Sequence, residues 1–261
     1  MRVLMIGDIV GKPGRTAVTR LVPALRAELG AALVVANAEN VAGGKGITVE
    51  TVRDLAASGV DVITSGDHAF DQKSAADALA EPRVLRPANY PPGTPGPGWA
   101  SVTAASGATI GVVNLMGRVF MKPMDCPFRA AEAALEALRG TRTILVDFHA
   151  EATSEKIAMA RFLDGKVTAV CGTHTHVATA DERVLGGGTA YITDLGMTGA
   201  HDSVLGREAE PVLAHFRTGL PHKFELATGD VWLNGAVIDF DEATGRAQAI
   251  ARVSRCIEQA H

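Results

Sequence analysis

The chain predicts an α/β fold built on two sheets, and three observations carry that reading. Short runs rich in Val, Ile and Leu recur along the chain: RVLMIG at 2–7, AALVVAN at 31–37, VDVIT at 60–64, TILVDF at 143–148 and VTAVCG at 167–172. Helix-like stretches separate them, which argues for strands buried on both faces under covering helices. Beyond His176 the pieces shorten to ATADERVL, TAYITDLG, VWLNGAVIDFD and RAQAIARVSR, which read as antiparallel strands of a second sheet.

Taken in order, the first strand leads through GKPG into a helix over Arg15 to Glu28, with Pro23 placed to kink it. Further helices are expected over Val49 to Ser58 and Gln72 to Leu79. The segment ANYPPGTPGPGW, residues 88–99, is the strongest breaker cluster and reads as an ordered connector. It is too short for a flexible tether, so residues 1–261 read as a single domain. Strands follow at Ala100 to Ala105 and Ile110 to Leu115. Then comes the apolar connection LMGRVFMKPMDCPF, which either covers a site or fills core and subunit contacts, with packing the favoured reading. Helices at Arg129 to Arg139 and Ser154 to Leu163 flank the strand that ends at His149. No internal repeat is visible.

Composition narrows the class. The 261 residues are 47% hydrophobic but only 5% aromatic, so aliphatic packing must build the core. No apolar run approaches the roughly 18 residues of a membrane span. The chain enters its first strand without a basic, apolar leader. Cys126, Cys171 and Cys256 are scattered and lack a CxxC spacing, which fits free thiols and a cytoplasmic setting. A net charge of −4 offers no bulk attraction for nucleic acid.

The chemistry lies at strand ends. Asp8 in MIGDIVG, Glu39 in ANAENVAGG, Asp67 in TSGDHAF, His149 in LVDFHAE and His174 in CGTHTHV each follow an apolar run, with His176 two residues further on. Ligands of α/β sheets bind at the carboxyl ends of strands, so these residues should converge on one rim. Each has a plain reading alone: Asp8 as a helix cap, Glu39 and Asp67 as turn residues, His149 as a core histidine. Six metal-capable side chains at successive strand ends outweigh those readings and point to a two-metal hydrolytic centre. Other sites are excluded: Pro13 stands where a Walker loop needs Ser or Thr, and G-x-G-x-x-G after the first strand, HExxH and G-x-S-x-G are missing. Gly43, Gly44 and Gly46 either admit backbone close to the site or form a plain loop.

The ordered series GD, EN, GDH, His149 and GTHTH resembles the calcineurin-like metallophosphoesterases. The strings GDIVGKPGR, NAENVAGGKGIT, NYPPGTPG, NLMGRVFM, DFHAEATSEK, GTHTHV and TDLGMTG are similar to one bacterial branch, the 2′,3′-cyclic-nucleotide phosphodiesterases. That resemblance implies a two-sheet α/β/β/α sandwich with a dinuclear centre. It implies that Asp8 and His176 hold one metal, with Asn40 beside it, that Glu39 bridges, and that Asp67, His149 and His174 hold the second. His68 resembles the histidine that protonates the leaving oxygen after attack by a hydroxide shared between the ions. The two ions would be divalent or mixed-valence, iron by resemblance, with manganese or zinc also compatible with nitrogen and oxygen donors. One departure stands out: the family places asparagine where this chain has Asp67, which lowers the formal charge of the centre by one. The implied substrate is a small nucleotide or other phosphodiester, with no membrane partner and a homo-oligomer allowed for. The alternatives are a phosphomonoesterase or nuclease on the same metals, or a regulatory nucleotide-binding protein with incidental hydrolysis.

Overall fold

The computed structural model describes residues 1–104 and 106–257. Chain order opens with β1 (Arg2–Ile6), β2 (Asp8–Ile9), α1 (Gly11–Leu29), β3 (Ala31–Asn37), α2 (Val49–Ala57), β4 (Val62–Thr64) and α3 (Ala75–Leu79). There follow β5 (Trp99–Thr103), β6 (Thr109–Met116), α4 (Pro127–Ala137), β7 (Thr143–His149), α5 (Thr153–Leu163) and β8 (Ala169–Thr173). The remainder comprises β9 (Arg183–Val184), β10 (Ala190–Ile192), β11 (Met197–Ala200), α6 (Ala209–Thr218), β12 (Val231–Phe240) and β13 (Ala247–Cys256). Of the strand expected at 100–105, Ala105 lies outside the described residues.

Two sheets form. One runs β2-β11-β12-β1-β3-β4 with β13 on β12, and the other runs β5-β6-β7-β8-β10-β9. Strand alternation explains the layers. Val3 and Met5 of β1 point into a core shared with Val112, Leu145, Ala169 and Ile192 of the facing sheet. Leu4 and Ile6 point the other way, onto Val18, Leu21 and Leu25 of α1 and Val52 and Leu55 of α2. On the far face of the second sheet, Val113, Ile144 and Val146 pack on Ala134 and Leu138 of α4 and Met159 and Leu163 of α5. With apolar residues on both faces of the central strands, each sheet needs cover on both sides, and an α/β/β/α sandwich results.

One expectation needs correction. The pieces after His176 do not make a sheet of their own. β12 pairs antiparallel with β1 in register Met5 to Ala236, while β10 joins β8 in parallel. The open edges of β1 and β8 supply ladders for them, and Ala236, Ile238 and Phe240 complete the inter-sheet core. The second sheet instead begins at β5, so the strands ending near His149 and His174 lie in a different sheet from those ending near Glu39 and Asp67. The connection after β6 is in part packed, as favoured: Met116 is buried and Met121 packs on the α4–α5 core, while Phe120 is exposed and Lys122 Nζ donates to the Asp67 carbonyl. Helix α6 has no counterpart in the sequence reading. Among the described residues no helix is long and apolar enough to cross a membrane.

Candidate metal centre

The carboxyl ends of both sheets meet at one rim. Asp8 opens β2, Glu39 follows β3, Asp67 follows β4, His149 ends β7 and His174 follows β8. Glu39, Asp67, His149 and His174 each place one ligand atom within 4.8 Å of the other three. His149 Nε2 lies 3.2 Å from Glu39 Oε2, 3.3 Å from Asp67 Oδ1 and 3.0 Å from His174 Nδ1. Tetrahedral ligands at ordinary metal distances stand about 3.3 Å apart, so this spacing fits one cation. Gly66 makes the approach possible, because a Cβ there would collide with the His149 ring and with Glu39 Oε2.

Asp8 Oδ1 stands 3.7 Å from His149 Nδ1, while Asn40 and His176 gather at the other oxygen of Glu39. Its Oε1 accepts a hydrogen bond from Asn40 Nδ2 at 2.8 Å, and that amide faces His176 Nε2 at 3.3 Å. Asp8 Oδ2 accepts the His174 backbone N–H at 3.1 Å. Asp8 Oδ1 is buried without a hydrogen-bond partner, a state that native structures rarely tolerate and that a cation would relieve. The two oxygens of Glu39 thus face two different groups of donors.

Electrostatics tell the same story. Burial raises the Asp8 carboxyl to about 7, opposed by the charge of His149 and reinforced by Asp194 and Glu39. Burial alone would strip His149 of its proton, but Glu39, Asp67 and Asp8 around it hold the ring protonated well above its ordinary range. Burial likewise pushes Asp67 up, and hydrogen bonds from His149 and His174 more than reverse this. Three acidic side chains around one buried imidazole make a pocket that favours positive charge. Burial lowers His176, leaving a neutral ring with a free lone pair, the form that binds metal.

His68 sits at the edge with its backbone N–H on Glu39 Oε2 at 3.1 Å and its Nδ1 on Asp71 Oδ2 at 2.8 Å. Its Nε2 lies 3.9 Å from Asp67 Oδ2, and the residue lines the adjoining cavity. The cavity itself holds about 530 Å³ and is lined by Glu39, Asn40, His68, His174 and His176. A larger crevice of about 680 Å³ between Arg86, Tyr90, Trp99 and Arg129 contains none of these groups.

Several supporting residues escaped the sequence reading. Glu151 Oε2 holds His174 Nε2 at 3.1 Å, which directs Nδ1 inward. Thr173 Oγ1 meets His149 Nδ1 at 2.9 Å and donates to the buried Asp147 at 2.7 Å. His174 and His176 have φ values of 102° and 64°, a costly region for side-chain-bearing residues. Asp194 holds that loop in place: it accepts the Thr175 N–H and hydroxyl and pairs at 2.7 Å with the wholly buried Lys156. The signal was present in DFHAEATSEK and TDLGMTG, strings with more polar residues than the ligands themselves require.

Residues 4–253 match the family described as YmdB-like protein. A Bacillus subtilis (strain 168) protein named 2′,3′-cyclic-nucleotide 2′-phosphodiesterase is 48% identical over 255 residues, 97% of this chain and 96% of that one. A hypothetical protein of known structure from Thermus thermophilus superposes with TM-score 0.93 at 44% identity, covering 98% of this chain and 99% of its own. A Mycoplasma pneumoniae structure described as a novel phosphatase does so with TM-score 0.92 at 32% identity, covering 98% and 93%. Matched along nearly its whole length to proteins that cleave phosphate esters, the chain belongs to the YmdB-like family of metallophosphoesterases and is a phosphoric ester hydrolase.

Proposed function

We propose that the chain is a single-domain, metal-dependent phosphodiesterase that opens 2′,3′-cyclic nucleoside monophosphates by hydrolysis. The observation that carries this is Glu39, with the spacing of a metal site at Oε2 and the Asn40–His176 pair at Oε1, beside the orphaned carboxylate oxygen of Asp8. Asp67, His149 and His174 would hold one ion, Asp8, His176 and Asn40 the other, with Glu39 shared between them. The donors are hard or borderline and include no thiolate, which suits iron, manganese or zinc, with iron favoured by family. Two bound ions would supply Lewis acidity and a nucleophilic water at neutral pH. His68 delivers the proton to the departing ribose oxygen, with Asp71 fixing its ring. Among the described residues, Arg207 is the only Lys or Arg lining the cavity, which argues against a polynucleotide substrate.

Gently purified protein should carry two ions per chain, share them without a thiol ligand, and cleave a cyclic nucleotide within a panel of phosphate mono- and diesters. Less than one ion per chain without chelator exposure, or action on monoesters alone, would overturn the reading.

Asp67 offers a finer test. Asp67→Asn keeps an oxygen donor and removes one negative charge from a partly desolvated site. Both ions should remain, and inhibition by inorganic phosphate should strengthen on the order of tenfold at matched metal occupancy. Unchanged inhibition would put Asp67 outside the ligand set.

A further inference from the structure

We propose that α6 and the chain that follows it form a nucleobase subsite, with Phe216 and Phe224 as the stacking surface. This rests on the cyclic-nucleotide reading above and names the part of the cavity that would make it selective. The same 530 Å³ cavity that holds Glu39, His68, His174 and His176 is lined by Leu205, Val212, His215, Phe216 and Phe224. A cavity of that size suits one mononucleotide, since small-ligand pockets run from about 300 to 1,000 Å³.

These aromatic side chains do not serve the core. Phe216 is 78% exposed and Phe224 38% exposed, and neither joins any of the three core clusters. They are nonetheless organised. The His215 ring meets Phe224 edge-on, with centroids 5.7 Å apart at 75°, and lies 5.9 Å from Phe216. Its Nδ1 is pinned to the Leu220 carbonyl at 2.7 Å. Arg207 ties the wall to the metal-bearing loop, donating to Gly44 O at 2.8 Å and to Phe224 O at 3.4 Å. Gly44 has φ +88°, and a Cβ there would strike the Arg207 guanidinium, so the clamp depends on that glycine. The result is an aromatic surface that shares one cavity with the phosphate-cleaving groups. A nucleoside, with its phosphate at the metals, presents a flat ring of matching chemistry.

The test compares adenosine 2′,3′-cyclic monophosphate with the base-less methyl riboside 2′,3′-cyclic phosphate on metal-loaded protein. Wild type should prefer the nucleotide. Phe216→Ala and Phe224→Ala should each lose about tenfold in kcat/KM on the nucleotide, mainly through KM, and nothing on the base-less ester. Phe224→Trp should retain the preference, which separates stacking from misfolding. Equal losses on both substrates, or no preference in wild type, would overturn the subsite while leaving the hydrolase reading intact. Should wild type cleave neither ester, the cyclic-nucleotide reading fails. The subsite is then judged by binding of adenosine 3′-monophosphate against ribose 3-phosphate: a tenfold drop in the alanine variants for the nucleotide alone supports it, and none overturns it. Variants that dissociate a dimer in sedimentation yet keep the nucleotide preference would assign the wall to a second copy and overturn the proposal.

Discussion

Glu39→Ala should empty the centre of both metals and lower hydrolysis by roughly 10³-fold or more. The size follows from losing several kcal/mol of metal-supplied charge stabilisation at about 1.4 kcal/mol per decade of rate. Glu39 presents one oxygen to each group of donors. Its Oε2 faces His149 Nε2 and receives the His68 N–H, while its Oε1 receives the Asn40 amide. His176→Ala should instead empty mainly one position, because His176 reaches only the Asn40 side. Elemental analysis of the two variants, with circular dichroism to check folding, reads the difference. Equal and partial metal loss in both would remove Glu39 from the bridging role and leave it as one ligand among several.

His68→Ala should retain metal and lose about 10²–10⁴-fold in rate on a cyclic nucleotide, the range for a positioned general acid. The loss should shrink on nitrophenyl esters, whose leaving groups need little protonation. Asp71→Asn should show the same pattern at smaller amplitude, because it leaves the imidazole in place and removes only the carboxylate 2.8 Å from Nδ1. Equal losses on good and poor leaving groups would make His68 a phosphate contact. Loss of metal from His68→Ala would point instead to its backbone bond with Glu39 as the feature that matters.

Helix α6 shows where reading the chain runs out. The segment AEPVLAHFRT carries apolar residues at Ala209, Val212, Leu213 and Phe216, a helical spacing, yet only Val212 is buried, so this stripe does not pack on a sheet. It lies on the surface beside the cavity, and its aromatic residues make sense only once that cavity is known. Asp194 and Lys156 stood inside quoted strings, but that they pair across 38 positions and hold the Thr173–His176 loop exists only in the fold. Helices α1, α2, α4 and α5 were legible because each carries a stripe buried on a sheet. Their ends moved by a few residues, as at α1, which begins at Gly11 rather than Arg15.

The sequence by itself determined the strands, the covering helices and the residues at the strand ends. Hydrophobic period and strand length are local properties, and Asp8, Glu39, Asp67, His149, His174 and His176 each follow from a local string. Only the tertiary structure decided that the carboxylates stand on one sheet and His149 and His174 on the other. Sheet membership is set by which open strand edge takes the next ladder and which faces share a core, and β12 satisfies both at β1 from more than 220 positions away. The same packing brings His149 Nε2 to 3.2 Å from Glu39 Oε2 across the gap between the sheets, and that distance is what turns scattered motifs into one centre.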